Sequence, residues 1–223
     1  MELQPKLIDV RVPESPAGVI LVLHGGAARR ENMMVSPTQL SVLRMIPIAR
    51  RLARGGDGRL AVLRLLNSRR GWDTRHTPVH DVRWALEELA ERLGRSLPTC
   101  LVGHSLGGRA ALLAAGAPAV RGVVALAPWV YPTDIAPGIE GRRILIVHGS
   151  DDRIASPARS AALAQGLSAR TEVDYVTVPS GKHAMLKHGR QFVDPAVDFV
   201  LETLLRPRAG AGARAGGRAR AQP

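Results

Sequence analysis

Uninterrupted apolar runs alternate with helical periodicity along most of the chain. "GVILVLH" (18–24), "RLAVLRLL" (59–66), "TCLVGH" (99–104), "RGVVALAP" (121–128), "RRILIVHG" (142–149) and "EVDYVTVP" (172–179) read as strands. Most are continuous Val/Ile/Leu stretches, the pattern of strands covered on both faces, as in parallel sheets. "LIDVRVP" (7–13) alternates instead and reads as an edge strand. Helical patterns fall between the strands, at about 37–54, 79–94, 105–116, 157–168 and 190–205. Ser36-Pro37 and Ser156-Pro157 each place a capping serine before a proline at the first helical position. The alternation predicts an α/β fold: a single doubly wound, mostly parallel sheet with helices on both faces. In such sheets the site lies beyond the carboxyl ends of the strands, which gives every polar residue a positional test.

Composition narrows the class. At 223 residues with 45% hydrophobic content, the chain is long enough to bury one full core. The apolar runs are strand-length, far short of the roughly 20 residues of a membrane helix. The start, MELQPKLIDV, has no basic region leading into an apolar stretch, so no secretory signal is expected. Cys100 is the only cysteine; it excludes an intramolecular disulfide, fits a cytoplasmic location and reads as a core residue.

The net charge of +12 raises the question of nucleic acid. Five arginines (Arg206, Arg208, Arg214, Arg218, Arg220) lie in the last 18 residues, in an Ala/Gly-rich tail without periodicity. Residues 206–223 are therefore expected to be a disordered basic tail on a domain spanning 1–205. Aromatics are 3% of the chain and no basic stripe interleaves with them, so no nucleic-acid partner is expected.

The positional test singles out Ser105. It stands in G-H-S-L-G (103–107), between the 99–104 strand and an apolar helix. A bare G-x-S-x-G is a weak signal. A strand, a sharp turn and a helix around it are what hold a serine hydroxyl exposed on a strained corner. The alternative is a plain helix cap. A serine needs a base. Of seven histidines, His183 in "PSGKHAMLKH" alone combines a position after the last strand with a glycine-containing loop. His188 lies nearer the final helix, and His76 and His80 read as solvated. His104 is expected to point away into the sheet, His24 to brace its loop, and His148 to pack locally. "HGSDDRIASP" offers Asp151 and Asp152; Asp152 is preferred as the carboxylate that orients His183, and Asp151 reads as a solvated turn residue. For an oxyanion, backbone N–H groups are expected from Leu106 and from "HGGAARREN" (24–32), at Gly26 with Ala27 beside it.

These residues carry a resemblance to the α/β-hydrolase fold superfamily, from about Leu7 to Leu205. "LHGG" (23–26) is similar to its oxyanion loop, "GHSLGG" (103–108) to its nucleophile elbow, "HGSDD" (148–152) to its acid turn and "GKH" (181–183) to its histidine loop. The chain order Ser105, Asp152, His183 is the family's order. The resemblance implies a serine nucleophile, unlike the aspartate of epoxide and haloalkane hydrolases or the cysteine of dienelactone hydrolases. The acid turn departs slightly, continuing as Arg153-Ile154-Ala155-Ser156-Pro157. Many members insert a helical lid where this chain has only 129–141; the expectation is a small, esterase-like member with no cap domain and an open cleft. Trp72, Trp129 and Tyr131 follow strand ends and are expected to wall the substrate pocket, whereas Trp84 reads as core.

The resemblance implies a serine hydrolase of carboxylic esters or thioesters acting through a Ser105–His183–Asp152 triad and an acyl-enzyme, on a small-molecule substrate. Transfer to another acceptor or perhydrolysis on the same triad, and a binding protein recruited through its basic tail, are the other readings. No cofactor or metal is expected, since no histidine–carboxylate cluster has ligand spacing.

Overall fold

The computed structural model describes residues 4–26 and 35–206. The expected residue Ala27 and the tail beyond Arg206 lie outside the described residues. Seven strands form one sheet: β1 (Lys6–Arg11), β2 (Gly18–Leu23), β3 (Leu60–Leu66), β4 (Thr99–His104), β5 (Val120–Leu126), β6 (Arg143–Gly149) and β7 (Glu172–Val178). Their spatial order is β1-β3-β2-β4-β5-β6-β7. β1 pairs antiparallel with β3, and every other pairing is parallel. The chain runs from β2 outward to β3, then returns to lay β4 on the other side of β2. That reversal opens a crevice beyond the ends of β2 and β4.

Among the described residues six helices cover the sheet: α1 (Leu40–Leu43), α2 (Met45–Gly55), α3 (Thr77–Arg92), α4 (Leu106–Leu113), α5 (Pro157–Ser168) and α6 (Gly189–Leu205). The period-2 geometry of a strand sends alternate side chains to opposite faces. Val19, Leu21 and Leu23 of β2 join the core beneath α3, α4 and α5, while Ile20 and Val22 join the one beneath α2 and α6. All six residues of β2 and all six of β4 are buried, which explains their uninterrupted apolar character. Cys100 is among them, and burial pushes its thiol pKa far up.

Two helix expectations are corrected. The pattern at 37–54 becomes α1 and α2, separated at Arg44. Pro47 has no N–H to give the Leu43 carbonyl one turn back, so the ladder breaks there. Ser36-Pro37 opens a turn rather than a helix, with Ser36 Oγ accepting from the Thr38 N–H at 3.2 Å. Ser156 does cap α5, accepting from Arg159 N at 3.3 Å. The 129–141 connection contains turns and no helix, so it forms no helical cap over the carboxyl edge of the sheet. Among the described residues no helix is long and apolar enough to cross a membrane.

The end of β6 meets the loop after β7 at a pair of glycines. A Cβ on Gly149 would lie 2.2 Å from the Gly181 carbonyl oxygen. This approach also lets the Asp151 N–H reach Gly181 O at 3.0 Å, so the 150–152 turn and the 180–183 loop are held together. Gly149→Ala is therefore expected to destabilise the fold by about 1–3 kcal/mol, the usual cost of overpacking. Gly189→Ala, where nothing lies within 4 Å of the added Cβ, serves as the near-neutral control. Urea midpoints of the two variants check this.

Candidate active site

β4 ends at His104, and Ser105 turns the chain into α4 with φ 56° and ψ −119°. A serine rarely adopts such a backbone, at a cost of about 1–3 kcal/mol, and it persists only where the surroundings enforce it. Here the Ser105 N–H donates to Leu126 O at 3.0 Å, and its carbonyl accepts from Arg109 N and Trp129 N, each at 3.1 Å. The glycines on either side make the corner possible. A Cβ on Gly103 would lie 2.2 Å from Gly107 O, and one on Gly107 would lie 2.5 Å from His24 O. The hydroxyl does not cap α4. Ser105 Oγ lies 3.0 Å from His183 Nε2 instead.

His183 Nδ1 lies 2.8 Å from Asp152 Oδ2. A carboxylate only accepts, so Nδ1 carries the proton and the Nε2 lone pair faces the serine hydroxyl. Asp152 Oδ1 accepts from Ile154 N at 2.8 Å and Ala155 N at 2.9 Å. Burial opposes the ionised form, but the hydrogen bonds from His148, His183 and these two amides outweigh it and hold Asp152 well below the usual carboxylate range. Asp151 is exposed and bonded to Ser150 Oγ, away from His183.

Two histidines read as bystanders in the sequence support this arrangement. His148 Nε2 lies 3.2 Å from Asp152 Oδ2 and 3.3 Å from Ala155 O, both acceptors, so it carries the proton. Ser160 Oγ, on α5, lies 2.6 Å from His148 Nδ1 and donates to it. His104 lines the cavity together with Ser105 rather than turning away into the sheet, and its Nε2 reaches the His183 carbonyl at 2.9 Å. Burial, aided by the neighbouring His183 ring, pushes the His104 pKa down to about 3. It is therefore neutral at ordinary pH and donates from Nε2. His24 braces its loop: Nδ1 lies 2.6 Å from Gly25 O, and Nε2 accepts from the Asn67 N–H at 3.1 Å.

A cavity of about 440 Å³ opens over Ser105. Gly26 and Leu106 line it, as do Trp72, Trp129 and Tyr131. Leu106 is the first residue of α4, so its N–H has no acceptor one turn back in the helix. Trp84 packs against the core.

The sequence reading missed Arg109 and Asp134. Arg109 Nε donates to Asp134 Oδ2 at 2.8 Å and its second nitrogen to Oδ1 at 2.9 Å. Both side chains are 9% exposed. The guanidinium carbon stands 4.3 Å from the Trp72 ring centroid and 5.0 Å from that of Tyr131. The pair therefore fixes the aromatic wall, and Asp134 also accepts from the Tyr131 N–H at 2.8 Å. The available signal was Arg109 itself, the one charge in "LGGRAALLAAG".

A family model described as the alpha/beta hydrolase family matches residues 20–144. No curated protein sequence matches the chain. Among solved structures, an alpha-beta serine hydrolase homologue from Coxiella burnetii superposes with TM-score 0.64 at 17% identity, over 90% of this chain and 91% of that one. The propionate-bound esterase Est2 from Thermogutta terrifontis gives 0.67 at 16%, over 91% and 92%. Est1E from Butyrivibrio proteoclasticus, with ferulic acid bound, gives 0.64 at 14%, over 91% and 96%. These likenesses share the fold over nearly the whole of each chain.

Removing one partner of the Arg109–Asp134 pair leaves a buried charge uncompensated. Asp134→Ala is expected to cost about 3–5 kcal/mol of stability, and Arg109→Met with Asp134→Leu to recover a large part of it. Urea denaturation of the single and double variants measures this coupling.

Proposed function

We propose, from the premise that this chain belongs to the alpha/beta hydrolase family, that it is a serine hydrolase of carboxylic esters or thioesters. The observation that carries the reading is the hydrogen-bonded series from Ser105 Oγ through His183 to Asp152, on a strained corner at the carboxyl edge of the sheet. Each of the three residues follows a different strand, so the sheet presets their separation. Geometry of this kind converts a weak nucleophile into an activated one.

In this reading Ser105 Oγ attacks the acyl carbon while its proton passes to His183 Nε2. Asp152 keeps the imidazole in the required tautomer and stabilises the imidazolium that forms. The oxyanion is taken by the backbone N–H groups of Leu106 and Gly26, with Ala27 the neighbouring candidate. One such donor contributes roughly 3–4 kcal/mol to the rate. His183 returns the proton to the departing alcohol or thiol, leaving an acyl-enzyme. Water, deprotonated by the same nitrogen, then releases the acid and restores the serine. Trp72, Trp129 and Tyr131 wall the acyl or alcohol part of the substrate. A 129–141 connection without a helix suits small esters, and the propionate bound to Est2 and ferulic acid bound to Est1E are acids of that size class.

Hydrolysis of a 4-nitrophenyl ester series tests the reading. Ser105→Ala is expected to lower kcat by roughly 10⁴-fold or more. In the wild type, log kcat/KM is expected to rise with pH along a limb of unit slope, because the reaction needs one unprotonated general base. His104, at about 3, and the depressed carboxylate of Asp152 contribute no second step there. A limb of slope two, or a Ser105→Ala variant with wild-type rates, would contradict the proposal.

A further inference from the structure

Arg44 occupies the break between α1 and α2 and lines the cavity over Ser105 together with His104 and His183. It also lines a neighbouring apolar groove of about 580 Å³, beside Leu43, Ile48 and Met185. Arg44 thus borders both spaces. Among the described residues no carboxylate lies within ion-pair distance of it. Its Nε is buried and has no hydrogen-bond acceptor among the described residues. Burial lowers its pKa, as expected of a charge held partly out of water.

The contrast with Arg109 is informative. Both arginines line the cavity, but Arg109 is neutralised by a two-bond pairing with Asp134 and serves the aromatic wall. Among the described residues no carboxylate matches the positive charge that Arg44 brings to the cavity. A half-buried guanidinium with no carboxylate partner among the described residues suits an acceptor from the ligand, and a carboxylate matches both its geometry and its single charge.

Resting on the hydrolase reading above, we infer that the substrate is an ester bearing a free carboxylate, and that Arg44 is the residue that selects it. The aromatic wall takes the part of the substrate next to the scissile bond, and the carboxylate binds at the junction of the cavity and the groove. A neutral ester leaves the Arg44 donors unpaired in the complex, so the discrimination acts against neutral substrates as well as for anionic ones.

The test compares mono-4-nitrophenyl esters of glutarate, adipate and suberate with their methyl-capped neutral counterparts, on the full-length wild type, Arg44→Gln and Arg44→Lys. Fluorophosphonate labelling of each protein reports the activated serine separately. The expected result is a wild-type preference in kcat/KM for at least one half-ester over its capped partner. That preference falls about 10- to 100-fold in Arg44→Gln, the range of a charge-assisted hydrogen bond, and returns in part in Arg44→Lys. It also weakens with added salt. Labelled wild type with no preference for any half-ester, or an unchanged preference in Arg44→Gln, overturns the inference and leaves the hydrolase reading standing. Equal losses on both members of each pair place Arg44 at the reacting carbonyl and overturn it too. Failure to label or hydrolyse any ester in the wild type overturns the hydrolase reading and, with it, this one.

Discussion

Close backbone contact at the corner after β4 is the constraint on which the site depends. The Gly103–Gly107 approach and the seating of Gly107 on the carbonyls of Leu23 and His24 bring β2, β4 and α4 closer than any side chain would allow. The turn that results puts Ser105 at φ 56° and aims its hydroxyl away from the helix it begins. It also brings Gly25 against the serine, with only 3.2 Å between its virtual Cβ and that of Ser105. Ser105 and the loop that faces it are therefore set by one packing event. Three hydrogen bonds from the Ser105 backbone, to β5, α4 and the 127–131 segment, stabilise a conformation the residue would not choose alone.

A second contact of the same kind, Gly149 against Gly181, sets the other half of the site. Around it Asp152 and His148 are both held by hydrogen bonds. Asp152 receives donors from two histidines and two amides, and His148 is itself fixed by Ser160. A carboxylate in this environment stays charged despite being buried, because its hydrogen bonds outweigh the cost of desolvation. His104 holds the His183 carbonyl from the neighbouring strand end. The ring that faces Ser105 is thus anchored at Nδ1 and at its own backbone.

What could be read from the sequence were features with local or ordered signatures. Uninterrupted runs such as "GVILVLH" located the parallel strands, and alternation at 7–13 located the edge strand. Ser105, Asp152 and His183 stood out because each follows a different strand. Pairings between distant side chains left no such trace. Arg109 meets Asp134 across 25 residues, and the partner's segment has no periodicity. His148 and His104 looked like strand-end residues because their contacts depend on how β6 and β4 sit against the following loops. Pro47 was visible, but its cost to the helix went uncounted, and with it the placement of Arg44 at the break.

The central claim is that folding alone activates one serine among all those in the chain. Peptide mapping by mass spectrometry after fluorophosphonate treatment measures this most directly, on native protein and on protein unfolded in urea. The account predicts a single adduct on Ser105 in the native sample and none in the unfolded one. Native protein that stays unmodified at Ser105, or that is modified equally at other serines, would contradict it.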